Sequence, residues 1–146
     1  HTVSHVGLSR EEHEQQVRAI VDQYQPDYVV LAKYMRVLTA SFVAAYRRKI
    51  INIHHSFLPA FIGARPYQQA FDRGVKIIGA TAHFVTDDLD EGPIIEQDVI
   101  HVSHAFSAED MAKAGRDVER SVLSRALSHV LDEKVFVYGN KTVVFK

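Results

Sequence analysis

The stretch that decides the fold of this chain is Ile50-Ile51-Asn52-Ile53-His54-His55-Ser56-Phe57-Leu58-Pro59. Its isoleucines favour a short buried strand, because branched side chains pack well on a pleated surface, and Pro59 ends that strand. Side chains alternate between the faces of a strand, so Asn52 and His54 share one face and His55 points to the other. An amide and an imidazole therefore lie where a strand ends, which is where open α/β sheets bind their ligands.

Helical and strand patterns alternate on both sides of this stretch. Hydrophobic spacing and capping residues predict helices over residues 10–24, 41–46, 67–72 and 107–131. Apolar runs predict strands over 28–32, 75–85 and 94–102, followed by a hairpin of 135–138 and 142–145. The last helix should bury one stripe of side chains: Met111, Ala114, Val118, Val122, Ala126 and Val130. This order predicts an α/β fold with an open, mostly parallel sheet, helices on both of its faces and a C-terminal hairpin.

Composition and charge narrow the possible functions. The 146 residues are 47% hydrophobic and 24% charged, which fits one globular domain over residues 1–146 without linkers or repeats. The net charge of −1, without blocks of like charge, argues against nucleic-acid and membrane partners. Cysteine is absent, which excludes disulfides and thiolate metal sites, and no apolar run approaches the roughly 20 residues of a membrane span. We expect a cytoplasmic location from these features.

The nine histidines suggest a metal site, but their spacing does not support one. His54 and His55 cannot face the same ion from adjacent positions of a strand, and His101 and His104 have no carboxylate at ligand spacing. A structural metal site needs three or four converging ligands. We therefore predict no metal and interpret the histidines as scattered polar or core residues, with His83 as a core histidine inside a strand.

Ser56 is a candidate nucleophile because it shares a strand face with His54. Nucleophilic serines of α/β hydrolases stand in a Gly-x-Ser-x-Gly turn that exposes the hydroxyl, and the residues around Ser56 do not form this motif. We therefore prefer to interpret Ser56 as a cap of the turn before Pro59.

A third interpretation combines Asn52 and His54 with a carboxylate from another strand end. The Asn52 amide can donate hydrogen bonds to an oxyanion, and His54 can polarise a carbonyl or carry a proton near neutral pH. The loop after the strand at 75–85 offers four acids, Asp87, Asp88, Asp90 and Glu91. Spacing alone leaves the choice among them open and favours a solvated turn for this loop. The pattern indicates acyl transfer or hydrolysis at a carbonyl.

Three segments in this order resemble one known family. They are Met35-Arg36-Val37-Leu38 after a buried strand, Asn52-Ile53-His54-x-Ser56-x-Leu58-Pro59, and Thr86-Asp87-Asp88-Leu89-Asp90-Glu91-Gly92-Pro93. Together they are similar to the motifs of the folate-dependent formyltransferases, which act on 10-formyltetrahydrofolate. The resemblance covers essentially the whole chain and implies a formyltransferase-like, Rossmann-like fold.

The resemblance also assigns roles to residues. It implies that Asn52, His54 and Asp90 are catalytic, and it selects Asp90 over its acidic neighbours for that role. The residues that it implies for folate binding are Met35, Arg36, Val37, Leu38, Thr86, Asp87 and Leu89. Without the resemblance, a core position for Met35, Val37 and Leu38 would be as good an interpretation as contact with a ligand. His55 is expected to pack beside the site rather than to act in it.

Details within the family favour its hydrolytic branch. His55 stands where the amine-formylating members have proline, and segments 63–67 and 135–140 also resemble the hydrolytic members. The resemblance therefore implies a hydrolase of one-carbon metabolism. In the reaction that the resemblance implies, water attacks the formyl carbonyl, Asn52 and His54 stabilise the oxyanion, Asp90 assists, and formate and tetrahydrofolate are released. Two alternatives stay open, namely formyl transfer to an amine such as glycinamide ribonucleotide and folate binding without catalysis.

The family implies features outside this sequence as well. Its hydrolytic members have an amino-terminal regulatory domain of the ACT type and a further βα unit. The chain begins at His1 rather than at Met, so we expect it to be part of a longer protein. The resemblance implies a homo-oligomer with a small-molecule folate partner. It implies no cofactor, because 10-formyltetrahydrofolate is the substrate.

Overall fold

The computed structural model describes residues 1–55, 65–87 and 91–145, and in them the predicted elements are present. The helices are α1 (Arg10–Tyr24), α2 (Ala40–Ala45), α3 (Pro66–Arg73) and α4 (Ala108–Leu131). The strands are β1 (Val29–Leu31), β2 (Ile50–His54), β3 (Ile77–Phe84), β4 (Ile94–His101), β5 (Val135–Tyr138) and β6 (Lys141–Val144). None of the described helices is both long and apolar enough to cross a membrane.

The strands confirm the α/β class and the C-terminal hairpin. β1 to β4 form one sheet in that order, and β5 pairs with β6. The sheet is mixed, since β1 and β2 run parallel and β3 and β4 run antiparallel. The antiparallel pair follows from the chain, because the connection from Phe84 to Ile94 is shorter than the dozen or so residues that a parallel crossover needs.

Both long helices begin as their sequences predict. In α1 the Glu12 backbone N–H donates to the Ser9 hydroxyl at 3.2 Å, and the Ser9 N–H donates back to the Glu12 carboxylate at 2.8 Å. Ser107 and Asp110 form the same reciprocal pair at the start of α4. Such capping boxes satisfy N–H groups that have no partner inside the helix, which fixes where each helix starts.

The first of two compact units comprises His1–Asn52 and Phe84–Gly92. Its core is the buried cluster Phe42, Tyr46 and Ile50, surrounded by Val17, Val21, Val29, Leu31, Leu38 and Val85. Thr39 caps α2, since its hydroxyl accepts a hydrogen bond from the Phe42 N–H at 3.2 Å. The Tyr46 hydroxyl donates to Asp22 on α1 at 2.5 Å. Polar contacts therefore join α1 and α2 in addition to apolar packing.

The second unit comprises Ile53–His83 and Pro93–Lys146. One of its core clusters consists of Ala70, Ile78, Val102 and Met111, with Tyr67, Val75, Ile100, Phe106 and Ala114 packed against it. In this unit α4 packs on β4 and on α3. Arg125 of α4 also donates to Glu96 at 3.3 Å and to Asp98 at 2.8 Å, both on β4. The single domain predicted over residues 1–146 stays a prediction.

The buried stripe of α4 differs from the predicted stripe at one position. Gly115 is buried and Ala114 is only half-buried, so the prediction of Ala114 was wrong. The reason is the Tyr67 side chain of α3, which lies directly against Gly115. A Cβ atom at position 115 would stand 2.1 Å from the Tyr67 hydroxyl oxygen. Only glycine fits under this ring.

Candidate active site

β2 carries the two polar residues around which the predicted site is built. Ile50 and Ile51 are fully buried at the start of the strand, whereas Asn52 and His54 are half-buried at its end. Asn52 pairs with Leu31, the last residue of the parallel strand β1. The carboxyl end of β1 therefore lies beside Asn52, at the kind of sheet edge where α/β proteins bind ligands.

The predicted folate-binding segment Met35-Arg36-Val37-Leu38 follows β1. Met35 and Val37 are exposed, at 76% and 46%, whereas Leu38 packs into the core of the first unit. The interpretation of Met35 and Val37 as core residues is therefore wrong, and that of Leu38 is right. Two exposed apolar side chains on a loop are available to contact an apolar ligand face.

Arg36 in the same segment has a buried polar atom without a hydrogen bond. Its Nη1 atom is buried, and no protein group in the described residues accepts a hydrogen bond from it. A buried donor without an acceptor costs about 1–3 kcal/mol, and more when the group is charged. A ligand with a hydrogen-bond acceptor near Arg36 would therefore give this Nη1 atom the partner that it lacks in the described residues.

Glu14 of α1 holds Thr39, the residue that directly follows this segment. The Thr39 backbone N–H donates to both carboxylate oxygens, at 3.0 and 3.1 Å, and the Thr39 hydroxyl also donates to the carboxylate. Glu14 is only 3% exposed. Burial raises the pKa of the nearby Tyr34 hydroxyl, the Glu14 carboxylate raises it further, and the Arg36 guanidinium opposes the rise.

The sequence analysis did not identify Glu14, although its spacing contained a signal. Glu14 precedes Val17 and Val21 at i, i+3 and i+7, so it belongs to the buried stripe of α1. An acid in a buried stripe needs hydrogen-bond partners. That spacing would have predicted a pairing partner, but not that the partner is Thr39.

His54 and His55 are closer to each other than strand alternation predicts. Their rings stack with centroids 5.3 Å apart and 20° between their planes. The prediction that His55 points away was wrong, because β2 ends at His54 and His55 lies in a bend where alternation stops. The His55 ring also lies 6.2 Å from the Tyr67 ring, centroid to centroid. The expectation that His55 is a packing residue agrees with these contacts.

The acidic loop is described only in part. The Val85 N–H donates to the Ile50 carbonyl at 2.9 Å, so the loop starts beside β2. Thr86 is half-buried and Asp87 is exposed. Asp90 and Leu89 lie outside the described residues, as does the candidate nucleophile Ser56. The roles predicted for these residues, and for Asn52 and His54, stay predictions.

The histidines in the described ranges do not converge on a metal position. Within residues 1–55, 65–87 and 91–145, no group of three or more histidine, aspartate or glutamate side chains could hold an ion. His83 is 3% exposed inside β3, which confirms that it is a core histidine.

The sequence is similar to those of known proteins. The family model described as formyl transferase matches residues 1–127. The chain is 72% identical to the formyltetrahydrofolate deformylase of Escherichia coli K12, over 97% of this chain and 51% of that protein. It thus spans about half the length of the curated relative.

Solved structures share the fold. A crystal structure of a formyltetrahydrofolate deformylase from Pseudomonas syringae pv. tomato is 54% identical, with a TM-score of 0.88 over 94% of this chain and 46% of that one. Glycinamide ribonucleotide transformylase 1 from Symbiobacterium toebii is 33% identical, with a TM-score of 0.85 over 94% of this chain and 65% of that one. The family model and these structures show that the chain belongs to the formyl transferase family.

Proposed function

We propose that the protein hydrolyses 10-formyltetrahydrofolate to formate and tetrahydrofolate. One observation carries this proposal, namely the 72% identity to a formyltetrahydrofolate deformylase across 97% of the chain. The identity to a glycinamide ribonucleotide transformylase is only 33% over a similar share. Both have the fold, so the difference in identity favours water over an amine as the acceptor of the formyl group.

The segment after β1 supports a role in binding the folate. Met35 and Val37 offer exposed apolar surface to the pterin ring, and Arg36 offers a donor that no described protein group occupies. Leu38 packs into the core of the first unit and thereby anchors the segment. Thr86, Asp87 and Leu89 are proposed to complete the binding site from the acidic loop.

The chemical step follows from the groups at the end of β2. Water attacks the formyl carbon, and the carbonyl oxygen becomes an oxyanion that the Asn52 amide and the His54 imidazole stabilise by hydrogen bonds. Asp90 orients His54 or the water and helps a proton to reach the folate nitrogen as the C–N bond breaks. No redox step occurs, and water supplies the oxygen and the proton that the products gain.

The surroundings of the reaction are proposed on the same basis. The family resemblance supports a homo-oligomer that works in the cytoplasm on a small-molecule folate, without a metal or redox cofactor. The alternative is transfer of the formyl group to an amine. It is tested by asking whether the reaction needs an added amine.

Single substitutions in the full-length protein test the assignment. We expect Asn52→Ala and His54→Ala each to lower formate release from 10-formyltetrahydrofolate by roughly 100-fold or more, since one oxyanion donor is worth about 10²–10³ in turnover. Asp90→Ala should lower it by a similar factor, since a group that assists proton transfer contributes about 10²–10⁴. The matched control is His101→Ala, which removes an exposed histidine at the end of β4 and should leave turnover unchanged. Near-normal turnover in His54→Ala would overturn the proposed mechanism. If 10-formyltetrahydrofolate lost its formyl group only when an amine was added, the proposed reaction would be overturned.

A further inference from the structure

A continuous row of side chains leads from α4 to His54 within the second unit. The Tyr67 hydroxyl on α3 donates to Glu119 on α4 at 2.8 Å. The Tyr67 ring is the neighbour of His55, 6.2 Å away at an angle of 41°. His55 in turn stacks on His54. Every contact joins side chains of the same compact unit.

Tyr67 is fixed more firmly than an ordinary half-buried tyrosine. Its ring lies on Gly115, where a Cβ atom would come within 2.3 Å of its Cζ atom. Burial raises the pKa of the Tyr67 hydroxyl, and the hydrogen bond to Glu119 raises it further, so the group remains a protonated donor at neutral pH. α4 itself is a long capped helix with a buried face. The Tyr67 ring is therefore held in place by α4, through Gly115 and Glu119.

His55 needs such support because of where it lies. β2 ends at His54, and His55 is in the bend that follows. A side chain beyond the end of a strand is not oriented by the sheet, whereas a ring packed against two others has fewer orientations available. The rings of both His54 and Tyr67 lie next to His55.

We propose that Tyr67 is a positioning residue for the reaction: held by Glu119 and Gly115, it packs against His55, and His55 keeps the His54 imidazole in the orientation that the formyl carbonyl requires. This inference rests on the proposed function, in which His54 contacts the reacting carbonyl. It gives His55 and Tyr67 a role that needs no contact with the substrate. A small misplacement of a catalytic group by a distant change can lower turnover strongly.

The kinetic test uses two substitutions of Tyr67 in the full-length protein. Tyr67→Leu removes the ring that contacts His55, and Tyr67→Phe keeps the ring but removes the hydrogen bond to Glu119. We expect Tyr67→Leu to lower kcat about 10-fold with KM for 10-formyltetrahydrofolate within about 2-fold, and Tyr67→Phe to have a smaller effect in the same direction.

The chain offers a matched control in the first unit. Tyr46→Phe removes a comparable hydrogen bond, from a buried tyrosine hydroxyl to Asp22 on α1, and the Tyr46 ring packs on Phe42 in an apolar cluster. It should lower stability about as much as Tyr67→Phe does and leave kcat unchanged. If kcat of both Tyr67 variants equals that of Tyr46→Phe, or if only KM changes, the inference is overturned.

A spectroscopic measurement separates this inference from the proposed function. In Tyr67→Leu the imidazole NMR resonances of both His55 and His54 should shift, whereas in Tyr46→Phe they should not. Unchanged His54 resonances in a folded Tyr67→Leu protein would overturn the inference whatever the activity. Shifted resonances with full activity in both Tyr67→Leu and His54→Ala would overturn the proposed function of His54 instead.

Discussion

Tyr46 and Tyr67 make the same hydrogen bond in two different settings. Each hydroxyl donates to a carboxylate of a neighbouring helix, Tyr46 to Asp22 on α1 and Tyr67 to Glu119 on α4. Burial and the hydrogen bond raise the pKa of Tyr46 to about 12, and the same causes raise that of Tyr67. The two bonds are therefore chemically alike, and their consequences depend on what else each ring contacts.

The neighbours of the two rings differ. Tyr46 packs on Phe42, with ring centroids 5.1 Å apart, inside an apolar cluster that also contains Ile50. Tyr67 packs on His55, next to a predicted catalytic residue. A tyrosine–carboxylate link in the first unit therefore supports the core, whereas the same link in the second unit also orients a side chain of the candidate site. Disturbing the first should change stability, and disturbing the second should change stability and turnover.

The largest effect on stability is expected in the first unit at Glu14. Glu14→Ala removes the acceptor of the Thr39 N–H and hydroxyl, which are buried and would lose their partner. We expect the free energy of unfolding to fall by about 3 kcal/mol. Because Thr39 directly follows the proposed folate-binding segment, KM should rise several-fold while kcat changes little. Urea unfolding and steady-state kinetics measure both quantities.

The control for Glu14 lies three positions earlier on the same helix. Glu11→Gln changes an exposed acid that makes only a surface ion pair with Arg10, and it should cost less than about 0.5 kcal/mol. If Glu14→Ala also lowered the free energy of unfolding by less than about 0.5 kcal/mol, the Glu14 carboxylate would not be what holds Thr39 in place.

In the second unit the strongest disturbance is Gly115→Ala. A methyl group there overlaps the Tyr67 ring, so the ring must move away from its position beside His55. Overpacking of this kind costs about 1–3 kcal/mol, against a gain of about 0.5–1 kcal/mol from helix propensity. We expect a net loss of about 1–2 kcal/mol together with a lower kcat.

Ala114→Gly is the matched substitution at the adjacent position. It should lower stability by about 1 kcal/mol, mainly through helix propensity and partly through the loss of a half-buried methyl group, and leave kcat unchanged. If Gly115→Ala stabilised the protein, the close packing of Tyr67 on α4 would be contradicted.

The smallest effect is the pH dependence of the Tyr46 hydrogen bond. The protonated hydroxyl is the donor, and folding raises its pKa from the ordinary tyrosine value of 10.0 to about 12. Its contribution to stability is therefore fully present below pH 10 and is lost as the pH rises towards 12. The difference in unfolding free energy between the parent protein and Tyr46→Phe should be constant up to pH 10 and shrink above it. A difference that grows with pH would contradict the assignment of donor and acceptor.

The local elements could be predicted because each depends on neighbours in the sequence. Ser9 and Ser107 fixed the starts of the long helices, and the isoleucines around Asn52 fixed β2. The antiparallel pairing of β3 and β4 follows from their short connection, although a mostly parallel sheet was expected.

Contacts between distant residues could not be predicted in this way. Gly115 is buried because Tyr67 lies on it, and Glu14 is buried because Thr39 pairs with it. Neither partner is visible in the local pattern. His55 was misjudged because the alternation rule was applied beyond the last residue of the strand. For the candidate site, spacing suggested Asn52 and His54, whereas only the family resemblance selected Asp90.

The source of the oxygen in formate tests the central claim most directly. The full-length protein is incubated with 10-formyltetrahydrofolate in ¹⁸O-labelled water without any added amine, and the formate is measured by mass spectrometry. Hydrolysis predicts that formate appears in step with tetrahydrofolate and that one of its oxygens comes from the water. Absence of formate until an amine is supplied, with the formyl group recovered on that amine, would contradict the account.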